Sequence, residues 1–241
     1  MSTLGMPGEG VAGAAALARR FGLDGLELRL HPGTGVHAGL DGDGRRRVLD
    51  LLGGIVPVCL AGYVRISAPG DDEAVIAGLR ADLELARDLG ASYVRVFPGG
   101  TDLAAAARRL AAVADEGPVV LVETHDALPT GAAVAELLAG APSAAAIWDL
   151  LHPWRHGEAP AATLAALGGR TAYVQIKDAV SADDPAPVPL GTGSVPLAEA
   201  RELLDGFGGW VSLEWERTWY PDAAPVEEIV PGALAWVEGT L

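Results

Sequence analysis

The chain has 241 residues, half of them hydrophobic, and its 17 basic and 32 acidic residues give a net charge of −15. A chain of this size builds a sizeable core in one domain, and its acidity repels phosphate backbones, which excludes a nucleic-acid partner unless a local basic stripe exists. No apolar run reaches the roughly 18 residues of a membrane span and no secretory leader is evident, so a cytoplasmic protein without a membrane partner is expected, and the single Cys59 allows neither an internal disulfide nor a cysteine metal site.

In chain order, short apolar segments that fit buried strands alternate with longer Ala-, Leu-, Glu- and Arg-rich segments that fit helices. Strands are expected at Ser2–Met6, Leu23–Arg29, Ile55–Arg65, Tyr93–Phe97, Val119–Glu123, Ala145–Asp149, Ala172–Lys177 and Trp210–Glu216. Helices are expected at Val11–Phe21, Asp71–Leu89, Asp102–Ala114, Gly131–Leu138 and Leu197–Leu204. The clearest is Asp71–Leu89, where Val75, Leu79 and Leu83 keep helical spacing behind an acidic first turn. Residues Ala179–Pro189, rich in proline and aspartate, read as a loop, and the run Arg45, Arg46, Arg47 reads as a solvated face. Eight βα units in a chain of this length predict a single-domain α/β fold, a (β/α)8 TIM barrel over residues 1–241. The rival, an open doubly wound sheet, would carry a glycine-rich phosphate turn after its first strand, and none is present.

A barrel of this type does its chemistry at the carboxyl ends of its strands, where this sequence concentrates polar groups. The relevant segments are Glu123-Thr-His125-Asp126, Asp149-Leu-Leu-His152-Pro-Trp-Arg155, Gln175-Ile-Lys177-Asp178 and Glu214-Trp-Glu216. Alternation along a strand puts Leu121, Glu123 and His125 on one face, Tyr173, Gln175 and Lys177 on another, and Ser212, Glu214 and Glu216 on a third. If those faces point inward, carboxylates from three strands converge, and a bound cation is the simplest way to hold them together. Taken singly, each residue has a plainer reading: a solvated glutamate at a loop edge, a framework histidine, a lysine paired with Asp178. Agreement among four successive strands is what favours a functional site.

With Ser2-Thr-Leu-Gly-Met-Pro, Gly25-Leu-Glu27-Leu-Arg29, Leu190-Gly-Thr-Gly193 and Trp219-Tyr-Pro221 in the same order and spacing, the chain resembles the sugar phosphate isomerase/epimerase group of the xylose-isomerase-like TIM barrels. That group includes inosose dehydratases and ketose 3-epimerases. The resemblance implies a divalent metal held by Glu123, Asp149, position 175 and Glu214, with Gln175 standing where the group usually has histidine. An all-oxygen ligand set of this kind favours Mn2+ or Mg2+ over Zn2+. The implied reaction is proton transfer beside the carbonyl of a carbohydrate-like small molecule through a metal-stabilised enediolate, with Glu123 and Glu214 as the catalytic acid and base. His125, His152 and Arg155 would contact substrate hydroxyls or a phosphate, and Lys177, the only lysine, would sit near the enediolate oxygen. Backbone amides around Gly191 and Gly193 are compatible with a phosphate, and the fold is compatible with a homo-oligomer. Three alternatives share the scaffold: a dehydratase, in which the enolate expels a β-hydroxyl; a nuclease, against which the acidity and scarce histidines argue; and a non-catalytic carbohydrate-binding barrel that has lost its metal.

Overall fold

The computed structural model describes residues 1–241. Seven parallel strands form the main sheet: β1 (Gly25–Arg29), β2 (Val56–Arg65), β3 (Tyr93–Phe97), β4 (Val119–Glu123), β5 (Ala145–Asp149), β6 (Thr171–Ile176) and β9 (Trp210–Leu213), adjacent in that order. A short antiparallel pair, β7 (Asp178–Ala179) and β8 (Pro187–Val188), follows β6, inside the segment expected to be a loop. The helices are α1 (Gly10–Phe21), α2 (Gly42–Leu52), α3 (Asp72–Leu89), α4 (Leu103–Ala111), α5 (Gly131–Ala139), α6 (Leu151–Arg155), α7 (Pro160–Leu167), α8 (Leu197–Leu203) and α9 (Val226–Glu238). This is a nearly closed TIM barrel, as the alternation predicts. No helix is long and apolar enough to cross a membrane.

The sheet closes through a reduced eighth stave. The expected strand Ser2–Met6 contributes one parallel bridge, Ser2 to Glu27, with Ser2 N–H donating to Leu213 O at 2.9 Å and Glu27 N–H donating to Met1 O at 2.9 Å. Thr3–Gly5 then coils into a 3-10 turn, because the Ser2 hydroxyl accepts from Leu4 N–H and so competes with the ladder. Helix α3 shows how local chemistry sets an element's limits: Asp71 caps its start by accepting from Glu73 N–H, Asp72 and Glu73 sit at the positive end of its dipole, and Gly90 ends it at φ 75°. Its Leu79, Leu83, Ala86 and Leu89 are buried at the expected spacing. Helices α2, α6, α7 and α9 lie outside the expected set. In α2 only Arg46 and Arg47 of the triple arginine face solvent; Arg45 is half-buried against α3, paired to Glu84 at 2.8 Å and to Asp88, and the helix packs through Val48 and Leu52.

Most of the apolar core lies between the strands and the surrounding helices. A separate small cluster, Val58, Cys59, Leu121, Ile147 and Tyr173, plugs the barrel interior below the strand ends. That plug lets the next layer of inward residues be polar without opening a channel. Two acidic side chains are buried outside the site: Asp178, which accepts from the amides of Gly191, Gly193 and Val195, and Asp82 of α3, which is 8% exposed and lies against β2 at Gly62, where an added Cβ would come within 2.7 Å of its Oδ2. Burial alone raises its pKa to about 6. Because the folded pKa exceeds the unfolded one, Asp82 favours folding only while protonated, and that advantage disappears as pH climbs from about 4 to about 6. Asp82→Asn is therefore expected to raise stability by about 1–3 kcal/mol at neutral pH, with the gain vanishing below pH 4. Thermal unfolding of both proteins across that range checks it, and an equal gain at every pH would contradict the titration.

Candidate active site

Above the apolar plug, every strand of the main sheet except β2 presents an inward polar side chain at one level: Glu27, Arg95, Glu123, Asp149, Gln175 and Glu214 (which follows β9). All six are 5% exposed or less. Lys177, one residue past β6, reaches back over the layer. Its Nζ lies 2.7 Å from Asp149 Oδ2 and 2.8 Å from Glu216 Oε1, and it also pairs with Glu214 Oε2. Opposite, Arg95 Nη1 donates to Glu123 Oε2 at 2.8 Å, and its guanidinium lies 3.9 Å over the Phe97 ring. Two buried cations thus pair with four carboxylates, and Glu27 adds a fifth without an ion pair, which leaves the layer acidic.

The charges respond accordingly. Burial raises the Glu123 carboxyl, Arg95 pulls it back, and it comes to rest at about 7. Burial and repulsion from Glu214 raise Glu27, against the pull of Arg95. Burial opposes the charge on Lys177, but Asp149, Glu214 and Glu216 outweigh it and hold the ammonium well above its ordinary range. His152 is pushed well below its usual value, first by burial and then by the neighbouring cationic groups, so its imidazole is neutral. For His125, burial is outweighed by Asp126 and the nearby carboxylates, and its pKa rises.

Gln175 explains part of this arrangement. Its Nε2 donates to Glu214 Oε1 at 3.0 Å and to Glu27 Oε2 at 3.1 Å, tying two carboxylates together as a single imidazole N–H would not. Its Oε1 is left buried without a partner. Asp149 Oδ2 is in a related position: it lies 2.7 Å from Lys177 Nζ and 3.7 Å from His152 Nε2 but is in hydrogen-bond alignment with neither. Buried acceptors without donors are costly unless something positive satisfies them. One carboxylate oxygen each from Glu123, Asp149 and Glu214 lie within 4.8 Å of one another. Three converging carboxylates with an orphaned amide oxygen beside them fit a hard divalent cation.

The residues singled out in the sequence do not all meet here. Glu123, Asp149, Gln175, Glu214 and Lys177 form the layer described. His125 lines the cavity above it, and His152, which does not line the cavity, packs edge to face against His125 with ring centroids 4.3 Å apart. Arg155 is a correction: its Nε donates to Ala182 O at 2.8 Å, so it pins the loop after β7 and does not line the cavity. The amides of Gly191 and Gly193 are likewise spent, donating to Asp178 Oδ2 at 3.0 and 2.9 Å, so they offer nothing to a phosphate. Arg95, Arg29, Tyr63, Arg65 and Trp219 line the cavity and were missed; for Arg95 the signal was present, a charged residue at an inward position of the apolar strand Tyr93–Phe97. The cavity encloses about 290 Å³, room for a small polar molecule.

Fold and site together define a TIM barrel whose working face is an acidic layer at the strand ends under an open cavity. The family model for xylose isomerase-like TIM barrels matches residues 15–239, and the chain belongs to that family. No curated protein is detectably similar in sequence. Among solved structures, a probable 3-DHS dehydratase of petrobactin synthesis from Bacillus anthracis superposes with TM-score 0.79 at 21% identity, covering 97% of this chain and 95% of its own. A D-allulose 3-epimerase from Methylomonas sp. superposes with TM-score 0.77 at 21% identity, covering 100% and 96%. The 3-keto-D-glucoside 4-epimerase YcjR of E. coli gives TM-score 0.70 at 17% identity, covering 96% and 95%. At these identities the likeness is one of fold.

Proposed function

We propose that this protein is a divalent-metal-dependent isomerase or epimerase that moves a proton beside the carbonyl of a sugar-like hydroxy-carbonyl compound. The observation that carries this is the convergence of Glu123, Asp149 and Glu214 beside the unpartnered Gln175 Oε1. Those four residues would hold Mn2+ or Mg2+, and the bound ion would supply stabilisation of the negative charge that develops on the substrate's oxygens. Glu123 and Glu214 are the candidate groups for taking and returning the proton, since both are buried in the floor of the cavity. Lys177, held cationic by three carboxylates, offers a compact donor to the same developing charge. His125 presents its imidazole to the cavity wall, where it would hydrogen-bond a substrate hydroxyl; the neutral His152 would help to orient it.

Among relatives of this fold the described activities include both epimerisation and dehydration. The two outcomes share the first step and separate afterwards: re-protonation gives an epimer or isomer, loss of a β-hydroxyl gives an unsaturated product. A panel of ketoses and hydroxy-keto acids incubated with the protein and Mn2+ in D2O, followed by NMR, tests the proposal. Deuterium entering at the carbon beside the carbonyl is the expected result, and product structure distinguishes the two outcomes; no exchange into any member of the panel would overturn it. For the cation site, Gln175→Ala is expected to weaken Mn2+ binding about tenfold or more, read by calorimetric titration. Unchanged affinity would remove Gln175 from the ligand set.

A further inference from the structure

The cationic groups that line the cavity can be accounted for one by one. Lys177 is taken by Asp149, Glu214 and Glu216, and Arg95 by Glu123. The amides of Gly191 and Gly193 are taken by Asp178. Two guanidiniums remain, Arg29 at the end of β1 and Arg65 at the end of β2, both lining the cavity, and neither pairs with any carboxylate although the chain carries an excess of 15 negative charges. Arg29 is held in place without being neutralised: its Nε donates to Tyr63 Oη at 2.6 Å, and its guanidinium lies 5.5 Å from the Tyr63 ring centroid and 5.0 Å from that of Trp219. Those contacts leave the Nη groups of Arg29 free, and Arg65 makes no side-chain hydrogen bond, while its methylenes pack against Gly99, which has φ 66° and no room for a Cβ.

An acidic protein that keeps two unneutralised guanidiniums on the lining of its acidic-floored barrel cavity offers an anion a place to bind. We propose that Arg29 and Arg65 form a subsite for an anionic group of the substrate, a carboxylate or a phosphate, so that the protein acts on a hydroxy-carbonyl acid or ester and not on a neutral sugar. Guanidinium forks bind both groups through paired charge-assisted hydrogen bonds. The placement also orients the substrate. The carboxylates of the floor repel an anion, so the charged end lies at the β1–β2 rim and the hydroxy-carbonyl end points down toward Asp149 and Glu214. The subsite rests on the proposed function for what happens at the floor, but the rim itself can be tested without catalysis.

The experiment compares three probes of matched size by calorimetric titration in the presence of Mn2+: D-fructose, D-fructose 1-phosphate and 5-keto-D-gluconate. The two anionic probes are expected to bind and the neutral one to bind at least about tenfold more weakly. Arg29→Gln and Arg65→Gln are each expected to weaken the anionic probes about tenfold and to leave D-fructose unchanged, and added salt to weaken only the anionic probes. The phosphate and the carboxylate arms show which group the subsite prefers. Equal or tighter binding of D-fructose, or anionic binding untouched by both substitutions, would overturn the proposal. Proton exchange on the anionic probes that ignores both substitutions would leave the proposed function intact and remove the subsite. Arginine-dependent anion binding with no exchange on any probe would do the reverse.

Discussion

Glu214→Gln is expected to lower the rate of proton exchange beside the substrate carbonyl by about 10²–10⁴-fold while leaving the fold intact. Glu214 is 5% exposed, accepts from Gln175 Nε2 at 3.0 Å and is paired with Lys177, so it is central to the layer. The amide has the same volume and still accepts a hydrogen bond from the ammonium, so packing is preserved. It removes a charge that the cation site needs and a base that the reaction needs. Two readouts separate these effects: Mn2+ affinity reports the first, and exchange at saturating Mn2+ reports the second. Full exchange activity at saturating Mn2+ would exclude Glu214 as the base.

Arg95→Met is expected to cost about 3–5 kcal/mol of stability at neutral pH. Arg95 is 4% exposed, its charge is matched by Glu123 at 2.8 Å, and its guanidinium covers the ring of Phe97. Methionine replaces most of the volume but leaves Glu123 and Glu27 buried together with no cation on their side of the barrel. Arg95 pulls both carboxyls down, so without it they rise further and take up protons at higher pH than in the wild type; the loss should be largest where they are still ionised and should shrink as pH falls. Adding Glu123→Gln to Arg95→Met should recover most of the stability at pH 7, because it removes the charge that was stranded. Denaturant unfolding of the wild type and both variants checks this. A loss under about 1 kcal/mol for the single variant, or no recovery in the double, would show that the pair is not what holds this wall together.

The strand ends were the most legible part of the sequence. Glu123, Asp149, Gln175, Lys177 and Glu214 each occupy a position that two-residue alternation sends inward, where a polar side chain is costly to bury unless it has partners or a ligand. Alternation says nothing about which polar side chains pair, however, so the Lys177 contacts to three carboxylates and the Gln175 bridge to Glu27 appear only once six strands are brought together. The segments just beyond the strands were the weakest point: Arg155, at the end of α6, turns its Nε to the Ala182 carbonyl, and the amides of Gly191 and Gly193 are consumed by Asp178. Helices α6, α7 and α9 carry prolines, Pro153, Pro160 and Pro231, that read as breakers; Pro160 sits in the first turn, where its missing N–H costs nothing.

The most direct test is a titration of the folded wild-type protein with Mn2+, repeated on Asp149→Asn/Glu214→Gln. One saturable site per chain in the wild type, absent from the double variant while its unfolding remains cooperative, is the predicted result. No saturable binding by the folded wild type, or the same binding in the double variant, would contradict a cation held by the strand-end carboxylates and with it the proposed chemistry.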